Sequence, residues 1–255
     1  MYERMKHPKS PEEVVQFYGK WPFYRVLGIQ ELASFVFSIF NGKMHYNGYK
    51  RLIRQLPLDD PHRNVLIVYS LISIHAWFWS AVFHARDTVF TERMDYFSAY
   101  SIVLYSLYAT VIHIFGITSS RRPLAFILWS MLCLCAYIYH ICRMATHFDY
   151  FYNMVVGVVV GAIHNLLWIW FSITNSLRKE KYSNPVIWIP TQCALLISLA
   201  MLLELFDFPP YFGFIDAHSL WHLATIFIIP KWYIFFCEDA LYHKNYASKM
   251  ASYLK

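Results

Sequence analysis

Seven windows of mostly apolar residues, each bounded by charge, Pro or Gly, follow one another along the chain, and a helix needs about 20 such residues to cross a bilayer. They run from Arg25 to Asn41, Asn64 to Phe83, Met94 to Gly116, Pro123 to Cys142, Phe151 to Ile173, Val186 to Leu205 and Ile215 to Cys237. Gln30 and Glu31 interrupt the first, which is the least apolar of the set. The connections, such as Ile117 to Arg122 and Asn175 to Pro185, are short and polar and leave no room for a second domain. The expected fold class is all-α: a polytopic membrane protein built as a seven-transmembrane-helix bundle. A lumenal N-terminal segment is expected over 1–24, the bundle over 25–237 and a cytosolic tail over 238–255.

Composition removes the alternatives. Charged residues make up 15% of the 255, against about a quarter in a soluble domain. A water-soluble fold holding 21 Phe, 20 Tyr and 9 Trp would have to expose large apolar patches. The net charge of +6 reads as topology signals flanking the spans, not as a nucleic-acid surface. Lys and Arg number 13 on the side of the first, third and fifth loops and the C-terminal tail, against 8 on the other side. The excess marks the cytosol and places the N-terminus in the lumen. Residues Met1 to Lys20 are polar and charged and do not read as a signal peptide, so the first apolar segment is expected to act as the insertion signal.

Five cysteines, Cys133, Cys135, Cys142, Cys193 and Cys237, lie inside or at the edges of the apolar windows. They read as buried hydrophobes and not as a disulfide framework. Cys133 and Cys135 point about 200° apart on a helix, which disfavours a metal pair. Gly157-Val-Val-Val-Gly161 is either a small-xxx-small match for close packing of the fifth span on a neighbour or a chance pair in an apolar helix.

Ionisable residues at membrane depth are expensive, and each is a functional candidate until a cheaper explanation appears. Span two ends Trp77-Phe-Trp-Ser80-Ala-Val-Phe-His84-Ala-Arg86-Asp87-Thr88, with Ser80 and His84 on one helix face. Span three opens Met94-Asp95-Tyr96, and span seven opens Asp216-Ala-His218-Ser-Leu-Trp-His222, a second i, i+4 pair. Span two runs toward the lumen while spans three and seven run back, so all three clusters fall at one lumenal level. Three histidines, His84, His218 and His222, with a carboxylate at one depth fit a zinc site with three nitrogen ligands and an open position for water. His75, His113, His140 and His164 are scattered and read as satisfied structural histidines. Glu31 reads as supporting or structural, and Asp149 and Asn153 as cavity-lining or capping residues.

Several runs resemble the post-GPI-attachment lipid-remodelling factor family: Gly19-Lys-Trp21-Pro-Phe, Ala76 to Thr88, Met94-Asp95-Tyr, Phe148-Asp149-Tyr, Leu202-Leu-Glu204-Leu-Phe-Asp207-Phe-Pro-Pro and Asp216 to His222. That family is similar to alkaline ceramidases and adiponectin receptors, seven-helix membrane hydrolases. The resemblance covers nearly the whole chain. It implies a phospholipase A2-type enzyme of the Golgi or endoplasmic reticulum membrane, removing the sn-2 acyl chain from the lipid of GPI-anchored proteins. His84, His218 and His222 match the zinc ligands, and Ser80 and Asp95 the remaining polar members of the site. Family members commonly carry a signal peptide and a cysteine-rich lumenal segment before the Gly-Lys-Trp-Pro motif, and neither is read in residues 1–18. The acidic residues near Trp21 with which alkaline ceramidases resemble a calcium site are also missing. A ceramidase-like amidase and a seven-helix receptor with a structural zinc remain the competing readings. In the hydrolase reading Asp95 orients the water and relays its proton, and Ser80 donates a hydrogen bond to the oxyanion.

Overall fold

The computed structural model describes residues 14–16, 20–177 and 184–253, with side chains as far as Asn245. Gly19 of the N-terminal motif and several residues of the charge count (Arg4, Lys6, Lys9, Arg178, Lys179, Lys181 and Lys255) lie outside the described residues. Seven helices are present among the described residues: α1 (Leu32–Gln55), α2 (Arg63–Ala85), α3 (Val89–Phe115), α4 (Pro123–Thr146), α5 (Tyr150–Leu177), α6 (Ile189–Leu205) and α7 (Ala217–Tyr253). Five, namely α2 to α5 and the stretch Ala217–Asn245 of α7, are long and apolar enough to cross a membrane. The chain is thus an all-helical, multi-pass membrane protein. α6 has only 17 residues, and α1 runs past the expected end at Asn41, so that Lys43, Lys50, Arg51 and Arg54 lie within the helix and not in the first loop.

The start of α1 also differs from the expected Arg25. Leu27 and Gly28 adopt φ of 51° and 85°, and Val26 pairs with Ile29 in an isolated bridge. This left-handed turn stops a helix from running through an apolar stretch that periodicity alone would extend. The other ends follow ordinary rules. Thr88 and Thr91 form a reciprocal capping box at the start of α3, and Gly116 ends that helix in the left-handed conformation at φ 60°. Pro123 sits in the first turn of α4, where its missing N–H costs nothing. α7 passes Cys237 without a break and contains Pro230.

α7, α1, α2, α3, α5 and α6 each pack on the next, and α6 returns to α7, closing a ring of six; α4 packs on α3 outside it. The polarity of α1 is inverted relative to a soluble helix. Its buried stripe is Ser34, Ser38, Asn41, His45, Gly48 and Leu52, while Ile39, Phe40, Tyr46 and Ile53 are exposed. Small and polar residues that face neighbouring helices while large apolar ones face outward are what a lipid solvent selects. At Gly48 the backbone meets α7 so closely that a Cβ would lie 2.2 Å from the Tyr233 ring. Asn41 donates to the His222 carbonyl at 2.8 Å and accepts from Thr225 at 3.0 Å, tying α1 to α7 just below the site.

One open reading is decided and one expectation corrected. Among the described residues, no atom of another helix lies within 4 Å of the Cβ position of Gly157 or Gly161, so this pair makes no close helix contact. Spacing records that two small residues share a face, but not what that face meets. Cys135 and Cys142 are exposed, whereas Cys133, Cys193 and Cys237 are buried; all five thiols are free. The outward pair sits on the lipid-facing side of α4, next to exposed Leu132, Leu134 and Tyr139.

Candidate metal centre

Because the helices alternate in direction, the end of α2, the end of α6 and the starts of α1, α3 and α7 meet at one end of the ring. His84 is in the last turn of α2, and His218 and His222 occupy the first two turns of α7. Each of the three residues has a ligand atom such that all three atoms lie within 4.8 Å of one another. The ring centroids are 5.2 Å apart for His84 and His218, 5.0 Å for His84 and His222, and 4.5 Å for His218 and His222.

The orientation of each imidazole is set by its Nδ1. Glu31, just before α1, places Oε2 2.7 Å from His84 Nδ1. Glu204, near the end of α6, places Oε2 2.7 Å from His218 Nδ1. Ser38 Oγ lies 3.0 Å from His222 Nδ1. A carboxylate at Nδ1 accepts its proton and leaves Nε2 as a bare lone pair, the tautomer a metal ligand requires.

The Nε2 atoms confirm how little the protein itself offers them. Among the described residues, His84 Nε2 is buried and has no hydrogen-bond partner, a costly state for a polar atom. The Nε2 atoms of His218 and His222 face each other at 3.0 Å. Two lone pairs at that distance repel unless a proton or a cation sits between them. The donor set, three neutral imidazoles backed by two carboxylates and a hydroxyl, therefore fits a divalent ion of the zinc type.

Ser80 and Asp95 line the same cavity as His218 and His222. Ser80 is buried, and its Oγ lies 3.0 Å from Ser38 Oγ, one hydroxyl away from His222. Trp77 packs edge-on against the His222 ring. Above the site, the residues before α1 strap the two loops on this side together. Lys20 pairs with Asp87 and, at 3.0 Å, with Glu92. Burial works against the Lys20 charge, but those two carboxylates outweigh it and raise its pKa. Trp21 Nε1 donates to both Asp207 carboxylate oxygens at 2.9 Å, and Tyr24 N donates to the Gly213 carbonyl.

The remaining polar residues find ordinary partners. His75 accepts from Trp79 within its own helix, His113 pairs with Asp239, His140 with Asn153 and His164 with Thr110. Asp149 accepts from the backbone N–H of Tyr152, a capping contact. Glu204 and Ser38 were not singled out by sequence reasoning. Glu204 carried a signal: a lone carboxylate at the end of an apolar window that the alternation of spans places at the same level. Ser38 carried none, since serines are common on helix faces turned toward other helices.

The molecule is a multi-pass helical membrane protein with a tri-histidine centre, carboxylate-backed, at one end of its bundle. The chain belongs to the Per1-like family, whose pattern matches residues 2–240. It is 39% identical over 230 residues to the "Protein PER1 homolog" of Schizosaccharomyces pombe, covering 89% of this chain and 68% of that one. It is 37% identical over 234 residues to "GPI-specific phospholipase A2-like PGAP3" of Danio rerio, with coverages of 91% and 71%. To the Homo sapiens protein of that name it is 36% identical over 230 residues, with coverages of 90% and 70%. No solved structure matches.

Proposed function

We propose that the chain is a zinc-dependent hydrolase of the Golgi or endoplasmic reticulum membrane that removes the sn-2 acyl chain from the lipid of GPI-anchored proteins. In this reading all seven helices cross the bilayer and the N-terminus is lumenal, which sets the centre on the side where anchored proteins reside. The observation that carries it is the convergence of ring nitrogens of His84, His218 and His222 within 4.8 Å of one another, with His218 and His222 also lining a cavity within the helix ring. The substrate comes from the relatives, which are named GPI-specific phospholipase A2-like.

A zinc ion bound here supplies a Lewis acid for the ester carbonyl and brings the pKa of water toward neutrality. The other roles belong to the chain. His222 Nδ1–H donates to Ser38, whose single hydroxyl hydrogen goes to the Ser34 carbonyl at 2.7 Å, so that Ser80 O–H donates to Ser38 at 3.0 Å. As the carbonyl carbon becomes tetrahedral, the Ser80 O–H turns from Ser38 to donate to the oxyanion. Asp95 takes the proton from the attacking water and returns it to the glycerol oxygen as the acyl C–O bond breaks, giving a free fatty acid and a lyso lipid.

Lipid mass spectrometry of GPI anchors from cells with and without the protein tests this directly. The sn-2 chain is expected to persist in its absence; identical anchors in both cell lines would overturn the assignment.

A further inference from the structure

The cavity beneath the histidines has a volume of about 490 Å³ and lies inside the helix ring, bounded chiefly by α2, α3, α5, α6 and α7. Its shape is written on α5. Gly157, Gly161, His164 and Trp168 recur at i+4, i+3 and i+4 and so share the face that lines it. At the two glycines no described residue of another helix comes within 4 Å of the Cβ position, so α5 is held clear of its neighbours there. At the far end the gap closes: the Trp168 ring lies 5.3 Å from that of Trp232, and His164 5.6 Å from Trp232. Trp168 is almost fully buried in an aromatic cluster with Phe235 and Phe236, which makes this floor rigid.

The length from site to floor has a natural measure. Ten helical residues separate His222 from Trp232 on α7, a distance of about 15 Å. A bilayer core of about 30 Å gives each leaflet's acyl chain about the same 15 Å. Two polar groups in the wall are paired, His164 with Thr110 at 2.8 Å and Asn165 with Ser198 at 3.0 Å, while the buried Trp168 Nε1 has no partner among the described residues.

We propose that Gly157 and Gly161 are specificity-determining residues that keep the cavity wide enough for the departing acyl chain, and that Trp168 and Trp232 end it and so measure the chain's length. This rests on the hydrolase reading above. Gly161 lies seven residues before Trp168, about 10 Å above the floor. A side chain there fills the open space and cuts off the deeper part of the cavity while leaving the histidine end untouched.

The test is Gly161→Leu expressed in cells lacking the protein, with GPI anchors read by mass spectrometry and zinc content measured on the purified variant. Anchors with long sn-2 chains are expected to persist while shorter chains are still removed, shifting the long-to-short ratio by about tenfold or more, as a misfit of one or two methylenes does in an apolar pocket. Zinc per chain is expected to match the unaltered protein. Removal that is lowered equally for every length at normal zinc content and abundance, or that is not altered at all, would overturn the length-measuring role and leave the hydrolase reading standing. Anchors unprocessed even by the unaltered protein would overturn the hydrolase reading itself. If Gly161→Leu reduces abundance, Gly157→Val carries the same comparison with the same outcomes.

Discussion

Glu204 Oε2 lies 2.7 Å from His218 Nδ1, and the loop that separates these residues joins the end of α6 to the start of α7. The same distance separates Glu31 from His84 at the entry to α1. Two of the three imidazoles are thus gripped by carboxylates from helices other than their own. The rotation of each ring is fixed by the bundle before any ion arrives.

That grip has a measurable consequence. Glu204→Gln and Glu31→Gln keep the side-chain shape, but the amide can no longer hold the Nδ1 proton as an anion does. Metal affinity is expected to fall about 10- to 100-fold in each. Competition with a graded chelator, followed by measurement of retained zinc, checks it; unchanged retention in both variants would show that the carboxylates are only packing.

The ligands themselves are expected to show a larger effect. The purified protein should carry about one zinc per chain, and His84→Ala, His218→Ala or His222→Ala should each remove most of it. Elemental analysis of folded, monodisperse protein decides this, and full retention in all three variants would sink the centre.

Binding and chemistry should separate at Ser80 and Asp95. Ser80→Ala and Asp95→Asn are expected to retain zinc near one per chain while slowing acyl release. Loss of a single oxyanion donor predicts a reduction of about tenfold to a few hundredfold for Ser80→Ala. Asp95→Asn should cost at least as much, because an amide cannot take the proton. Full restoration of remodelling by both variants in deficient cells would favour a receptor whose zinc is structural.

Orientation is accessible to protease protection. A tag before Lys20 is expected to be protected in sealed microsomes, and a tag after Tyr253 to be cleaved. The reverse pattern would put the histidines on the cytosolic face, away from anchored proteins.

Two glycines on α1 provide a paired stability test. Replacing Gly by Ala in a helix gains about 1 kcal/mol from backbone entropy. At Gly42 the nearest atom to a new Cβ is Trp77 Cβ at 3.6 Å, an ordinary contact, so Gly42→Ala should be neutral or stabilising. At Gly48 three Tyr233 ring atoms lie within 2.4 Å, and overpacking of about 1–3 kcal/mol should outweigh the gain. Thermal unfolding in detergent should therefore rank Gly42→Ala above Gly48→Ala.

The helical architecture and the grouping of the three histidines were legible in the sequence for simple reasons. Apolar window length reports helices, an i, i+4 pair reports a shared face, and alternation of direction puts His84, Asp95 and His218 at one level. The turn at Leu27 and Gly28 was not legible, because its residues are as apolar as the helix they interrupt. Glu204 escaped because its partner lies 14 residues away across a loop, where no periodicity applies. What Gly157 and Gly161 face stayed open for a related reason: spacing on one helix is blind to the helix opposite. Lys20, Trp21, Asp87 and Asp207 belong to three separate runs, and only folding shows that they bond to one another.

The inverted polarity of α1 bears on how the protein is made. A helix whose inner stripe holds Ser34, Ser38, Asn41 and His45 is a poor entrant into lipid by itself, and the partners of that stripe are supplied in two instalments. Ser80 of α2 arrives almost at once, since α2 follows α1 directly, whereas His222, Thr225 and Tyr233 belong to α7 and lie 181 to 188 residues beyond their partners. Until α7 has been made, that part of the stripe lacks these partners. A nascent chain that stalls before α7 would present an unpartnered polar seam to the bilayer, the kind of feature by which a membrane quality-control protease recognises unfinished work.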